Sequence, residues 1–569
     1  MQVFVRRSLV PADRQPSGPA LLLEGSWESD APQHWALDDV IVAPEFEALD
    51  VAAQQLAERI IAAAAVRHSV GPNFADVNVL RLRYAAVKWL RILAFVERLM
   101  PDATQSVELF AGGESDDEYR AVWLGLAAAR RFRLHVHDAP ATAAPEVASA
   151  APSPWWRRAP AALFADRREA LKPGGTRAPR LLVIGNPRLL DGICDEALRR
   201  GVAVAWLYDQ FPVRAWWKRF GQGVRWLTCR GDDQADLYPE RLLAADVAER
   251  GVLLNDVVEA WYRATKLRSG AIQSRQWSRL VAHFGRRSFS QLVLDEDATP
   301  LARMAVALAR RHGVGSWVAQ HGVCGVRFGF VPLYADGFFA WDEGSRRQLE
   351  AWGESTGNVV VTGSTYHDEF LAEVAHARAK CSPAAPVGRK RVMLAAVPAP
   401  RDERPDAINF HLTTRTYGEM LAAACDAVAA IPAAQLIVKL HPRAKGCDRP
   451  LLEALRRNAA LNFRIVQKQT LGEVLPEIDC VISCASSAGV DAAAAGVPVV
   501  QVLPRGSGDV VPAGWYGLLG SARTAAELRP LLEQALASPP AEERGRAAAA
   551  GSAATRIVDC LLGDIRTER

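Results

Sequence analysis

The stretch that most constrains this chain runs from Ala434 to Leu503, because its residues mark each boundary of two strand–turn units. Asp479-Cys480-Val481-Ile482-Ser483 reads as a buried parallel strand, and Ser486 and Ser487 stand where a helix must begin. That helix is Ala488 to Ala495. Gly496 stops it and Pro498 follows, the expected order of C-terminal signals, and Val497 to Leu503 is the next strand. About forty residues earlier, Gln435-Leu436-Ile437-Val438 is another short apolar run. It empties into the basic turn Lys439-Leu440-His441-Pro442-Arg443, where Pro442 ends the strand because it has no N–H for a ladder.

This arrangement favours an anion. Serines at a helix N-terminus present hydroxyls and backbone N–H groups at the positive end of the helix dipole. Lys439, His441 and Arg443 end a neighbouring strand and are expected to face the same crevice, since ligands of open α/β sheets sit beyond the carboxyl ends of the strands. Asp491, one turn after Ser487, could accept hydrogen bonds from a ribose. The simpler reading is that His441 closes a turn and the serines cap a helix. Both features on adjacent βα units favour a nucleotide-phosphate site.

A chain of 569 residues has room for two or three domains, and its hydrophobic fraction of 50% allows large cores. A net charge of +4 is too balanced to imply nucleic acid, which calls for a concentrated basic face. Nine cysteines without a CxxC or zinc pattern fit a reducing compartment better than a disulfide scaffold. The N-terminus lacks a signal-peptide core, and the sequence has no uninterrupted apolar run long enough to span a bilayer. The expectation is a soluble cytoplasmic protein or one docked at the inner face of the membrane.

Along the chain, strands are expected at Leu21–Leu23, Val40–Val42, Ser106–Phe110, Phe132–Val136, Leu181–Ile184 and Val202–Leu207. Helices are expected at Phe46–Val66, Val79–Leu99, Asp117–Arg130 and Leu189–Arg200. Val79–Leu99 carries Arg81, Arg83, Lys88 and Arg91 among apolar residues, which suits a core helix with a solvated basic face or a helix lying on an anionic membrane. Ala139–Pro154 is Ala-, Pro- and Ser-rich and reads as a loop, part of a weakly patterned stretch extending to about residue 179. Arg214-Ala-Trp-Trp-Lys-Arg-Phe reads as a packed helix start, with a sugar-stacking platform or a membrane anchor as alternatives. A long helix over Asn255–Phe284 follows, then a strand at Leu292–Leu294, a helix at Pro300–His312 and a strand at Ser316–Ala319. Phe338–Trp341 and Val359–Val361 continue the alternation.

Two polar clusters fall at strand ends. Asp295-Glu296-Asp297 could supply a general base, a nucleophile or a hydroxyl binder, or simply cap the helix at Pro300. Gln320-His321-Gly322 places His321 in a glycine-bearing loop where backbone can approach a ligand. Beyond Ala377–Lys390, Val392–Ala396 is a strand and His411–Ile431 a helix. Leu528–Ala537 and Glu543–Leu562 close the chain. The division expected is residues 1–370 and 371–569, two α/β halves around a crevice.

At Gln320-His321-Gly322, Val361-Thr362-Gly363, Lys439-Leu440-His441-Pro442-Arg443 and Ser486-Ser487 with Gly496-Val497-Pro498, the sequence resembles bacterial surface-polysaccharide enzymes. That group includes capsule sialyltransferases, Kdo transferases and polyol-phosphate transferases. The resemblance spans about Asp295 to Pro504 and implies the GT-B fold, two Rossmann-like domains facing a central crevice. It assigns the cytidine phosphate to His441, Ser486 and Ser487, and the polyol-phosphate relatives assign the transferred phosphate to His321. Sialyltransferases of this type carry an acidic pair followed by Gly as base motif. Here Asp295-Glu296-Asp297 is followed by Ala298, so the base and the stereochemistry stay open. The polyol-phosphate motif usually begins with Trp, where this chain has Gln320.

The function expected is transfer of an acidic 2-keto sugar, Kdo or a nonulosonate, from a CMP-sugar to a glycan or lipid-linked glycan of the bacterial surface. Asp295, Glu296 or Asp297 would act at the acceptor hydroxyl or anomeric carbon. Lys439, His441, Arg443, Ser486, Ser487 and Asp491 would hold the nucleotide. No metal, no other cofactor and no nucleic-acid partner are expected. The alternatives are a CDP-polyol phosphotransferase, a nucleotide-sugar 2-epimerase and a non-catalytic glycan-binding subunit.

Overall fold

The structure is a computed structural model. It describes residues 1–6, 9–10, 16, 19–24, 34–37, 43–65, 72–100, 106–112, 116–138, 181–208, 224–229, 238–286, 289–380, 390–399, 412, 414–442, 444, 446–484, 486–505, 507–509, 511–537 and 552–563. By compactness the chain divides into two units. One is Met1–Ile41, Ala48–Val318 and Tyr334–Asp336, and the other is Val42–Glu47, Ala319–Leu333 and Gly337–Arg569.

The architecture is α/β, built from parallel sheets. The first sheet holds β1 (Gln2–Arg6), β2 (Ala20–Glu24), β3 (His34–Ala36), β4 (Ser106–Ala111) and β5 (Arg133–Asp138) in the order β3-β2-β1-β4-β5. The second contains β6 (Leu181–Ile184), β7 (Val204–Tyr208) and β8 (Arg225–Thr228). A two-residue antiparallel pair follows, β9 (Ala248–Glu249) with β10 (Val252–Leu253). The second sheet continues with β11 (Gln291–Leu294) and β12 (Gly315–Ala319), and β13 (Gly337–Ala340) and β14 (Val359–Val361) follow in the chain. Its strands run in the order β12-β11-β6-β7-β8, and β13 pairs with β14 in parallel. The third holds β15 (Lys390–Ala395), β16 (Ala434–Lys439), β17 (Phe463–Val466), β18 (Cys480–Ser483), β19 (Val499–Val502) and β20 (Gly520–Ala522), in the order β17-β16-β15-β18-β19-β20.

All three orders follow one rule. The first strand lies inside the sheet, the next two strands extend to one side, and the later ones extend to the other. This doubly wound order creates a crevice at the carboxyl ends of the two strands where the winding reverses. Those pairs are β1 with β4, β6 with β11, and β15 with β18.

Parallel strands must be covered on both faces, and the third sheet shows how. Val392 and Leu394 of β15 face Tyr417, Leu421 and Leu528, whereas Met393 and Ala395 face Phe370, Val474 and Leu475. The alternation is the period of two that a pleated strand imposes. Burying a side chain of Leu or Phe size contributes about 1.5–3 kcal/mol, so each face supplies a large share of this unit's stability.

One reading of the sequence changes here. Val79–Leu99 is helical as expected, but Arg83 and Arg91 are 3% and 8% exposed, so the helix has neither a fully solvated basic face nor a basic membrane face. Arg83 is accommodated because its guanidinium meets Asp50 at 3.0 Å. The segment Arg214–Phe220, the Ala139–Pro154 stretch, Val40–Val42 and Arg443 lie outside the described residues. Among the described residues no helix is long and apolar enough to cross a membrane.

The helix Ser487–Ala494 sits against β18 through Gly489. A Cβ built on Gly489 would lie 2.4 Å from Ser483 Oγ and 2.6 Å from Ser483 Cβ. This is the close helix–strand approach that a doubly wound nucleotide site uses. Gly489→Ala should therefore lower the urea midpoint, at a cost of about 1–3 kcal/mol from overpacking. An unchanged midpoint would refute the close packing.

Candidate functional site

Two of the three reversal points carry the polar clusters expected from the sequence. At the first, β6 empties into Gly185-Asn186-Pro187 and β11 into Asp295-Glu296-Asp297. Gly185 adopts φ +145°, and a Cβ there would lie 2.3 Å from Asp295 Oδ1. Only glycine permits that approach. It lets Asp295 Oδ2 accept a 2.8 Å hydrogen bond from the Asn186 amide. Asn186 in turn caps the helix Pro187–Arg199, accepting from Arg188 N at 3.0 Å. Asp295 is thus the tie between the two loops.

Asp297 has turned the other way. It is 2% exposed and accepts from the Tyr334 and Ala335 amides at 2.6 and 2.8 Å. Burial raises its pKa to about 6 although the two amides and Arg303 pull it down. The Arg303 guanidinium stacks 3.7 Å over the Tyr334 ring and bonds Asp76, so this carboxylate belongs to a buried scaffold. The N-cap of Pro300–Arg311 is Thr299, not an acid of the triplet, and its side chain makes no cap bond.

Glu296 is left facing a cavity of about 260 Å³. Trp206, Leu207 and Tyr208 of β7 form one wall, with Gly185 and Pro187 at the turn and Thr299, Leu301 and Ala302 at the helix start. Glu296 makes no hydrogen bond or ion pair among the described residues. Burial raises its pKa to about 7, with Asp295 and then Asp297 adding to the shift. A carboxyl that titrates near neutrality in a cavity can give or take a proton at working pH.

The second point lies at β15 and β18. The register aligns Lys439 with Ala395 and Ala395 with Ser483, so β15 stands between the His441 strand and the serine strand. From the sequence these strands are expected to be neighbours. The doubly wound order inserts the first strand between them, separating their ends by about two strand spacings, roughly 10 Å. Ser486 occupies the N-cap with no side-chain cap bond, and both Ser486 and Ser487 are half-buried. His441 is half-buried just past the end of β16. Lys439 is 7% exposed, and its ammonium donates to Leu440 O at 3.1 Å and Gln467 O at 3.4 Å. Burial lowers its pKa.

Asp491 lies one turn into the serine helix at 5% exposure. Its carboxylate accepts from His367 Nε2 at 2.8 Å and from Tyr366 Oη at 3.4 Å. The Trp341 ring packs 4.7 Å from the His367 ring. The sequence analysis did not single out His367. Its signal was present in Thr362-Gly363-Ser364, a strand end followed at once by a helix bearing His367 on its first turn.

His321 stacks face to face on Phe330, centroids 4.6 Å apart and planes 5° from parallel. Its neighbour Gln320 is 2% exposed and clamps the loop. Gln320 Nε2 donates to Gly322 O at 2.7 Å and Ser345 Oγ at 3.0 Å, while its Oε1 accepts from Trp341 N at 2.7 Å. The structure therefore gathers Asp295 and Glu296 in one pocket, Ser486, Ser487 and Asp491 on one helix, and turns Asp297 and Lys439 inward.

No protein-family model matches this sequence, and no curated protein matches it. Solved structures do. One is the UDP-N-acetylglucosamine 2-epimerase of Rickettsia bellii, at 12% identity and a TM-score of 0.42, covering 68% of this chain and 97% of that one. Another is the UDP-GlcNAc 2-epimerase of Neisseria meningitidis bound to UDP-GlcNAc, at 13% identity and 0.40, covering 68% and 99%. A third is the wall teichoic acid polymerase TagF, at 13% identity and 0.32, covering 68% and 89%. Likenesses at this level assign neither substrate nor reaction to the chain.

The raised pKa of Glu296 has a signed consequence for stability. Its ordinary value is 4.5 and its folded value about 7, so its favourable contribution is complete below 4.5 and is lost as pH rises through 7. Glu296→Gln removes that loss. The variant should melt several degrees above the parent at pH 8, with the difference vanishing near pH 4.5. Parallel melting curves at all pH values would show that Glu296 titrates normally.

Proposed function

We propose that this chain is a GT-B-type glycosyltransferase that uses a nucleotide-activated sugar, specifically a CMP-activated acidic 2-keto sugar, and delivers it to a bacterial surface glycan. One observation carries the nucleotide part. At the reversal point of the third sheet, an uncapped Ser486-Ser487 helix start stands beside β15, with His441 on the far side of that strand. Helix-start amides and hydroxyls suit a phosphate, and an imidazole across the strand suits the second edge of the same anion. Arg443 would add a cation to that turn.

In this reading the leaving CMP phosphate gathers charge as the glycosidic bond breaks, and the helix start and His441 stabilise it. We assign removal of the acceptor hydroxyl proton to Glu296, because Asp295 and Asp297 are committed to backbone amides. The acceptor oxygen then bonds the anomeric carbon as the proton passes to the Glu296 carboxylate. His321 is assigned to the donor carboxylate or phosphate. Transfer in this scheme uses no metal, so added EDTA should leave turnover unchanged.

Thermal-shift binding of CMP, CDP, UDP and GDP tests the reading. A nucleotide at about 100 times its dissociation constant should add about 2.7 kcal/mol of stability. We expect CMP to stabilise the protein and Ser487→Ala and His441→Ala each to weaken it. With donor and acceptor in hand, His441→Ala should cost about 2–4 kcal/mol of transition-state stabilisation. Stabilisation by UDP alone would favour an epimerase or a UDP-sugar transferase, and no binding by any nucleotide would remove the catalytic reading.

A further inference from the structure

The helix Asn255–Arg286 is 32 residues long, about 48 Å at 1.5 Å per residue. One flank is core, with Val257, Val258, Trp261, Tyr262, Trp277 and Leu280 buried. From Arg263 to Arg286 the sequence contains no Asp or Glu. Over that span the other flank turns Arg263, Leu267, Arg268, Ile272 and Arg286 to solvent, with Arg275 and Arg279 half-buried beside them. Leu267 is 84% exposed and Ile272 44%.

Several exposed helical arginines elsewhere are matched by an acid one turn away, as in Arg346 with Glu343, Arg449 with Glu453 and Arg529 with Glu533. On this helix none of the five arginines forms an ion pair among the described residues. Among the described residues the exposed half of this helix is therefore an uncompensated cationic surface about 35 Å long, with Leu267 and Ile272 exposed among the charges. Its partner must offer anions at guanidinium spacing and an apolar layer directly beneath them. Duplex nucleic acid supplies the first but gives Leu267 and Ile272 nothing to enter. An acidic lipid surface supplies both, since phosphate oxygens take the forked guanidinium and the acyl boundary takes the aliphatic tips.

We propose that the Arg263–Arg286 flank docks this protein on an anionic lipid bilayer. The inference is independent of the transferase reading, because it rests on no residue of either reversal-point site.

Co-sedimentation of the full chain with phosphatidylcholine vesicles, with and without about one third phosphatidylglycerol, tests it. We expect binding to the acidic vesicles only, weakened at high salt as screening shortens the reach of each charge. Arg263→Gln combined with Arg268→Gln should lower partitioning roughly thirty-fold. Leu267→Gln should lower it at both low and high salt. All three positions are exposed, so melting temperatures should stay within about 2 °C of the parent. A parent protein that stays in the supernatant with acidic vesicles overturns the proposal, as does an arginine variant that sediments like the parent. Equal binding to a short DNA duplex, with Leu267→Gln without effect on either partner, would instead mark a nucleic-acid surface and equally overturn it.

Discussion

The structure depends on a single constraint of parallel pairing. A parallel strand cannot return through a tight turn, so each crossover carries the chain over a sheet face, usually as a helix. When successive crossovers reverse direction, the loops leaving two adjacent strands diverge and leave a crevice between them. Each of the three sheets winds this way, so the chain makes the same kind of concave edge three times. What distinguishes the edges is which side chains happen to follow the strands.

At β6 and β11 the edge is acidic and apolar. Three consecutive carboxylates would repel one another if all were ionised in one place, and the fold separates them. Asp295 is drawn onto the Asn186 amide, Asp297 is buried on two amides, and Glu296 is left with no hydrogen-bond partner among the described residues. Burial raises the pKa of Asp297 as well as that of Glu296, but Asp297 is held on two amides, and Glu296 is the one left facing the cavity. At β15 and β18 the edge is anion-seeking instead. Its small residues, Ser483, Ser486 and Gly489, bring the helix start close to the strand, and a larger side chain at Gly489 would push it away.

Buried polar side chains hold these edges in place. Gln320 uses both ends of its amide to fix the loop carrying His321, and Asp491 fixes the His367 ring against Trp341. Each satisfies a group that would otherwise be expensive to bury, which is why such residues tolerate so little change. They were read as site residues or passed over because polarity at a strand end looks alike whether it faces ligand or scaffold.

Much of the secondary structure was legible. Val79–Leu99, Asp117–Arg130 and Leu181–Ile184 fall at the boundaries expected, since long periodic runs and buried strands carry their own signals. The short strands β1, β3, β8, β9, β10, β17 and β20 carry no such signal. β17 shows why: Phe463, Arg464 and Ile465 are all exposed on an edge, so no clean apolar pattern marks it. His367 was missed for a related reason, as its meaning lies in Asp491, 124 residues away. By itself the sequence determined that the chain is α/β and that a histidine follows one buried run and serines another, because strand and helix periods and capping residues are local. Only the tertiary structure decided that β15 lies between those ends, that Asp297 and Lys439 turn inward, and that Glu296 is left to face the cavity. Those outcomes follow from strand order and desolvation, which depend on residues far apart in the chain.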